Sequence, residues 1–139
     1  MDTNVVSEWV KPEIDPQVIE WWRTVDEDRA FLSVVTLAEL RRGIQRLPNG
    51  RRKGQLTEWL QGDLRERFEG RILEIDEAVA DMWGFVVAER SVIGRPINAM
   101  DAFLAAIARV REMTLVTRNT KDFSNLSLML VNPWEAAES

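Results

Sequence analysis

Asp101-Ala102-Phe103-Leu104-Ala105-Ala106-Ile107-Ala108-Arg109-Val110-Arg111 is followed, after Glu112-Met113, by Thr114-Leu115-Val116-Thr117. The first stretch is rich in Ala with apolar residues at helical spacing, and the second is a short run of strand formers. A helix of roughly Asp101 to Arg111 therefore leads into a strand of Thr114 to Thr117. The same alternation continues outward. Phe31 to Val35, Arg71 to Ile75 and Leu128 to Val131 are the other strand candidates, and helical periodicity fills the intervals. Short apolar strands alternating with amphipathic helices predict an α/β domain, a three-layer α/β/α sandwich with a central parallel sheet.

Pro16 behind Asp15 opens the first helix, with Asp15 as its cap and Val18, Ile19 and Trp22 on one stripe. Leu37, Leu40, Ile44 and Leu47 mark a second helix. Leu56, Leu60 and Leu64, with Trp59 alongside, give a third that Gly70 stops. Asp76 starts the fourth, whose apolar face is Val79, Met82, Trp83, Val86 and Val87, and Gly94-Arg95-Pro96 breaks the chain before the fifth. With 139 residues, 45% hydrophobic, and no repeat or linker, residues 1–139 are expected to form one domain.

Composition excludes several kinds of chemistry. There is no Cys, hence no disulfide, thiolate nucleophile or cysteine-held metal, and no His, hence no imidazole base and no Ser-His-Asp triad. An enzyme built from this chain works with carboxylates, Lys, Arg, Ser, Thr and Asn. Clustered carboxylates without His favour hard cations such as Mg2+ or Mn2+. No run of about 18 apolar residues and no signal-like start occur, so a cytoplasmic location is expected.

The net charge of −5 is unevenly spread. Arg41, Arg42, Arg46, Arg51, Arg52 and Lys53 fall in a stretch with no acid, so the remainder of the chain carries −11. Such a stretch is either a solvated helix face and loop or a track for phosphates or an acidic segment. Trp9, Trp21, Trp22 and Trp59 lie in segments of mixed polarity; packing in the core is the ordinary fate of such residues, and a contact surface is the other.

In doubly wound sheets the active crevice lies beyond the carboxyl ends of the strands. Four acids are placed for it: Asp2, Glu39 after the strand ending at Val35, Asp101 at the opening of the Ala-rich helix, and Asp122 after the strand ending at Thr117. Each also has an ordinary explanation. Glu39 stands three residues after Thr36, the spacing of a capping box; Asp101 can cap its helix; Asp122 can be a turn residue. Asp2 has no routine structural task.

Taken in order, these motifs are more specific than any one of them. Asp2-Thr3-Asn4, then Thr36-Leu37-Ala38-Glu39-Leu40, then Gly94 to Ala108 with Asn98 and Asp101, then Leu115 to Phe123, and finally Val131-Asn132-Pro133-Trp134, closely resemble the PIN-domain ribonucleases. Within that superfamily the chain is similar to the VapC toxins of VapBC toxin–antitoxin systems, FitB-like branch. The resemblance implies a PIN fold with a five-stranded parallel sheet and a metal-dependent endoribonuclease whose catalytic, metal-binding residues are Asp2, Glu39, Asp101 and Asp122. Thr117 and Asn119 are implied as polar support and Asn4 as an orienting neighbour. It further implies Mg2+ or Mn2+ as cofactor, a cognate VapB-type antitoxin, a homodimer, and structured RNA such as tRNA as substrate. Arg41, Arg42 and Arg46 follow Glu39 on one helix and are candidates for contact with RNA or the antitoxin.

Carboxylates gathered in one pocket repel one another, and a divalent ion relieves the conflict. In such a site a bound water serves as nucleophile for in-line attack on a phosphodiester. A phosphoaspartyl receiver is the main alternative, and its acid pair, central acceptor and Lys are poorly matched here, since Lys121 sits beside Asp122. A haloacid-type phosphatase needs Asp where position 4 has Asn. A PIN domain that only binds RNA or a partner is the third. One mismatch concerns the start: the family has an apolar central strand running into its first acid, and only Met1 precedes Asp2. The first strand is thus expected to be truncated, with the numbered start internal to the native chain.

Overall fold

The computed structural model describes residues 15–25 and 27–135. Helix α1 (Pro16–Thr24) begins as the sequence dictates: the Gln17 amide donates to Asp15 Oδ1 at 2.8 Å and Pro16 takes the first helical position. A one-turn 3-10 helix (Glu27–Arg29) leads to strand β1 (Leu32–Ser33) and helix α2 (Val34–Gln45).

The strand expected over Phe31 to Val35 is thus cut short after Ser33. Ser33 Oγ accepts from the Thr36 amide at 3.2 Å and caps α2, so the β-branched Val34 and Val35 enter the helix. Val35 is 2% exposed, and its burial outweighs a weak strand preference. The other strands are likewise two residues long: β2 (Ile72–Leu73), β3 (Leu115–Val116) and β4 (Leu130–Val131).

The expected third helix is a continuous helical run of three geometries. Helix α3 (Arg51–Glu58) passes through a π-helical segment (Trp59–Leu64) into the short α4 (Arg65–Arg67). Leu60 and Leu64 are buried there as the spacing requires, and Gly70 ends the run with φ +76°. Helix α5 (Glu77–Val92) is capped by Asp76 and closed by Gly94 at φ +70°; helix α6 (Ala99–Val110) follows.

β1 pairs with β2 in parallel (Leu32 with Ile72, Ser33 with Leu73), and β3 pairs with β4 in parallel (Leu115 with Leu130, Val116 with Val131). The architecture is an α/β sandwich with parallel strands. Among the described residues the two pairs are separate, and a cavity of about 670 Å3 lies between them, lined by Leu32, Ser33, Leu73, Leu104, Leu115 and Val116 among others. The expectation of a truncated first strand lies outside the described residues.

Two apolar clusters form the core. One unites α5 and α6 with β3 and the segment after it, through Val79, Val86, Ala102, Ala105, Leu115, Phe123 and Leu126; the other joins Leu32, Leu60, Leu64 and Phe68. Helix α2 is their common wall, sending Val35 into the first and Leu40 and Ile44 into the second. Small Ala side chains on α6 let α5 approach closely, and Trp83 stacks on Phe103 at 5.4 Å while donating from Nε1 to Ala99 O at 3.1 Å. Trp22 and Trp59 pack against the second cluster, which is the ordinary fate of such residues. No helix among the described residues is long and apolar enough to cross a membrane.

Candidate metal centre

Glu39 lies on α2, six residues beyond the cap Ser33, and is half-buried. The capping-box reading with Thr36 therefore fails. Thr36 is itself the residue whose amide Ser33 caps, and Glu39 is too far into the helix to reach an orphan N–H.

Asp101 does not open its helix. Asn98 is the cap, with Oδ1 accepting from the Asp101 amide at 2.8 Å, while Asn98 Nδ2 donates to Asp101 Oδ2 at 2.8 Å. The helix therefore starts at Ala99, two residues before the expected start. Asp101 stands half-buried in the first turn, where the helix dipole favours a carboxylate.

Asp122 sits on a one-turn 3-10 helix (Thr120–Phe123) anchored by the buried Phe123. Its amide donates to Asn119 O at 3.0 Å, while its carboxylate is exposed and has no hydrogen bond or ion pair among the described residues. Thr117, fully buried at the carboxyl end of β3, accepts from the Asn119 amide at 3.1 Å through Oγ1. Asn119 is exposed. The closing motif steadies this loop from outside: Asn132 Nδ2 donates to Arg118 O at 3.1 Å, Asn132 Oδ1 accepts from the Trp134 amide at 2.9 Å, and the Arg118 guanidinium lies 5.0 Å from the Trp134 ring centroid.

Helix α6 packs against α2 and against the Thr120–Phe123 turn, so the elements bearing Glu39, Asp101 and Asp122 meet. Asp2 and Asn4 lie outside the described residues. Among the described residues no three acids are gathered into a ready-made ion site. The donor chemistry nevertheless fits a hard divalent cation, because every candidate ligand is a carboxylate and two belong to loops or first turns that can adjust. The cavity between the strand pairs is a different place, lined by none of these three acids.

Arg41 is half-buried and Arg42 and Arg46 are exposed on the second half of α2, where cations also suit the negative helix end. Arg51 and Arg52 are less expected. They occupy the first turn of α3, whose cap Gly50 provides no side chain, so positive charge is concentrated at the positive end of a helix.

One buried charged residue lies beside the candidate acids. Arg90 continues the apolar stripe of α5 beyond Val86 and Val87 and is only 5% exposed. Its Nε donates to Arg95 O at 2.8 Å, and its Nη1 donates to Asp122 O at 2.7 Å and Ser124 O at 3.3 Å. Position on the apolar face was the available signal; hydropathy hid it.

A fold of parallel strand pairs under helices, with acids after strand ends and in a helix's first turn, defines the class. Residues 1–127 match the PIN domain family model, and the chain belongs to that family. Its relatives include a toxin, a plasmid stability protein and VapC ribonucleases. It is 36% identical to the Toxin FitB of Neisseria gonorrhoeae over 134 residues, which is 96% of each chain, and 33% identical to the VapC ribonuclease Y4jK of Sinorhizobium fredii over 99% of this chain and 98% of that one. A solved structure of FitAB bound to an IR36 DNA fragment superposes with a TM-score of 0.92 at 34% identity, covering 99% of this chain and 96% of the other.

Proposed function

We propose that this chain is a cytoplasmic metal-dependent endoribonuclease, the toxin of a toxin–antitoxin pair, and that Asp2, Glu39, Asp101 and Asp122 hold its Mg2+ or Mn2+. One observation carries the reading. The N-terminus of α6 is capped by Asn98, so Asp101 is not required for the task that would otherwise explain an acid there. Membership of the PIN family removes the receiver and phosphatase alternatives and agrees with nuclease chemistry.

A bound divalent ion supplies a nucleophilic water at neutral pH and offsets charge growing on the phosphoryl oxygens. The chain's own residues do the rest. Asn98 orients the Asp101 carboxylate, Thr117 holds the loop that presents Asn119 and Asp122, and Phe123 anchors that loop in the core. Asn4 is assigned to orient the first acid. Arg41, Arg42 and Arg46 are assigned to RNA phosphates or to the acidic stretches of a VapB-type antitoxin. Structured RNA such as tRNA is the substrate class, because an open crevice reads loops and ends better than the narrow groove of an RNA duplex. The active form is a homodimer.

The test is cleavage of a structured RNA by the purified chain. Activity should vanish in EDTA, return with Mg2+ or Mn2+, and be absent in Asp101→Asn; cleavage that persists in EDTA or in that variant overturns the reading. A chain that binds RNA without cutting it under any metal is a binding module. Replacing Arg41 and Arg42 together by Glu should weaken RNA binding and flatten the slope of log affinity against log salt by about two; an unchanged slope and unchanged antitoxin affinity return these residues to solvated surface.

A further inference from the structure

Arg90 is the one buried cation among the described residues, and every hydrogen bond recorded for its guanidinium ends on a backbone carbonyl. A guanidinium taken out of water is costly unless its donors are used. Here they are used on two segments far apart in sequence. Arg95 lies in the loop that leads to Asn98 and Asp101, while Asp122 lies in the 3-10 turn and Ser124 directly after it, 32 and 34 residues beyond Arg90. The first loop follows Gly94 at φ +70°, and the second, anchored in the core by Phe123, is a single turn followed by Asn125 at φ +62°; Arg90 bonds to both.

We propose that Arg90 is a positioning residue for the acidic site, tying the backbone of Asp122 to the segment ahead of Asp101 so that the two carboxylates are presented together. The inference rests on the reading of Asp101 and Asp122 as ion ligands. Arg90 touches neither carboxylate; it acts through carbonyls. An apolar side chain of similar volume would fill the same space at no cost in desolvation, yet it would leave the two loops unconnected.

The experiment measures Mn2+ binding by calorimetry at a temperature well below unfolding, for the parent chain and for Arg90→Met, Arg90→Lys and Asp101→Asn. Arg90→Met should lose about 10- to 100-fold in Mn2+ affinity, the range for outer supports of metal ligands, while still unfolding cooperatively. Arg90→Lys, which keeps the charge but cannot span both loops, should lose less. Hydrogen exchange at the amides of residues 120–124 should quicken in both.

If the parent binds Mn2+, Asp101→Asn does not, and Arg90→Met binds as the parent does, the positioning role is overturned and the metal site stands. If the parent fails to bind Mn2+, or Asp101→Asn binds equally well, the metal reading falls and the inference falls with it. Should Arg90→Met fail to fold, Arg90→Lys decides by the same criterion: weakened affinity supports the role and parental affinity overturns it.

Discussion

Helices α5 and α6 begin with different chemistry, although both have an acid in or beside the first turn. At α5 the acid is the cap. Asp76 Oδ1 accepts from the Val79 amide at 2.9 Å, and its other oxygen pairs with Arg111, so both carboxylate oxygens are engaged by the fold. At α6 an amide side chain does the capping, and Asp101 stands three residues further in. The difference separates an acid that structure needs from an acid that structure merely accommodates. An Asn cap is as effective as Asp at a helix N-terminus, so capping does not call for an acid at position 101, which the helix dipole merely favours.

The comparison predicts opposite mutational signatures. Asp101→Asn should abolish cleavage while the protein stays folded: charge stabilisation of about 4 kcal/mol in the transition state converts to roughly 1000-fold in rate. Turnover at saturating Mg2+ beside a thermal melt checks both halves, and an active Asp101→Asn enzyme breaks the contrast. Asp122→Asn should lose about 10- to 100-fold, since a ligand on an exposed single turn is more replaceable by water. A loss larger than that of Asp101→Asn would reverse the ranking of the two acids.

The acids were legible in the sequence as types at strand and helix ends, and the helices were legible from their apolar stripes, as with Asp15 and Asp76 as caps and Gly70 and Gly94 as stops. Boundaries were less so. Val34 and Val35 read as strand because β-branched residues fit a pleated surface, whereas the local Ser33 cap and the burial of Val35 in the core send them into a helix. Asp101 reads as the opening of α6 because Asp is a frequent cap, and Asn98, an equally good one three residues earlier, takes the place instead. The π-helical segment at Trp59–Leu64 leaves the same residues buried as an α-helix would, so periodicity could not reveal it. The place of Arg90 on the apolar face of α5 is visible in the sequence, but its role is not, because a buried guanidinium that binds carbonyls depends on loops brought from elsewhere in the chain.

A gentler substitution probes the join between cap and site. Asn98→Ala removes the cap and also the Nδ2 donor to Asp101 Oδ2. Loss of the cap should cost about 1 kcal/mol and lower Tm by about 4 °C for a domain of this size. Release of Asp101 should weaken Mn2+ affinity about tenfold. Asn98→Ser, which caps but has no amide to hold Asp101, should restore most of the Tm and little of the affinity. If both recover together, the Asn98–Asp101 contact matters only for the helix.

The smallest effect belongs to Asp76, and its sign is fixed by the structure. The hydrogen bond from the Val79 amide, chiefly, holds its carboxyl below the ordinary value of 3.8; desolvation opposes it, and the charge and hydrogen bond of Arg111 add to the lowering. A carboxyl depressed in the folded state contributes stability that is complete above its unfolded value and is lost as pH falls through the folded value. Asp76→Asn keeps a capping side chain but removes the charge, so it should lower Tm by a few degrees at pH 7, with cleavage unchanged. The deficit should shrink below about pH 4 and close once the parent carboxyl is protonated. Melts of both proteins from pH 7 to pH 2 read this directly; a deficit independent of pH would mean that the charge contributes nothing at α5, and the two helix starts would then differ only in which residue supplies the cap.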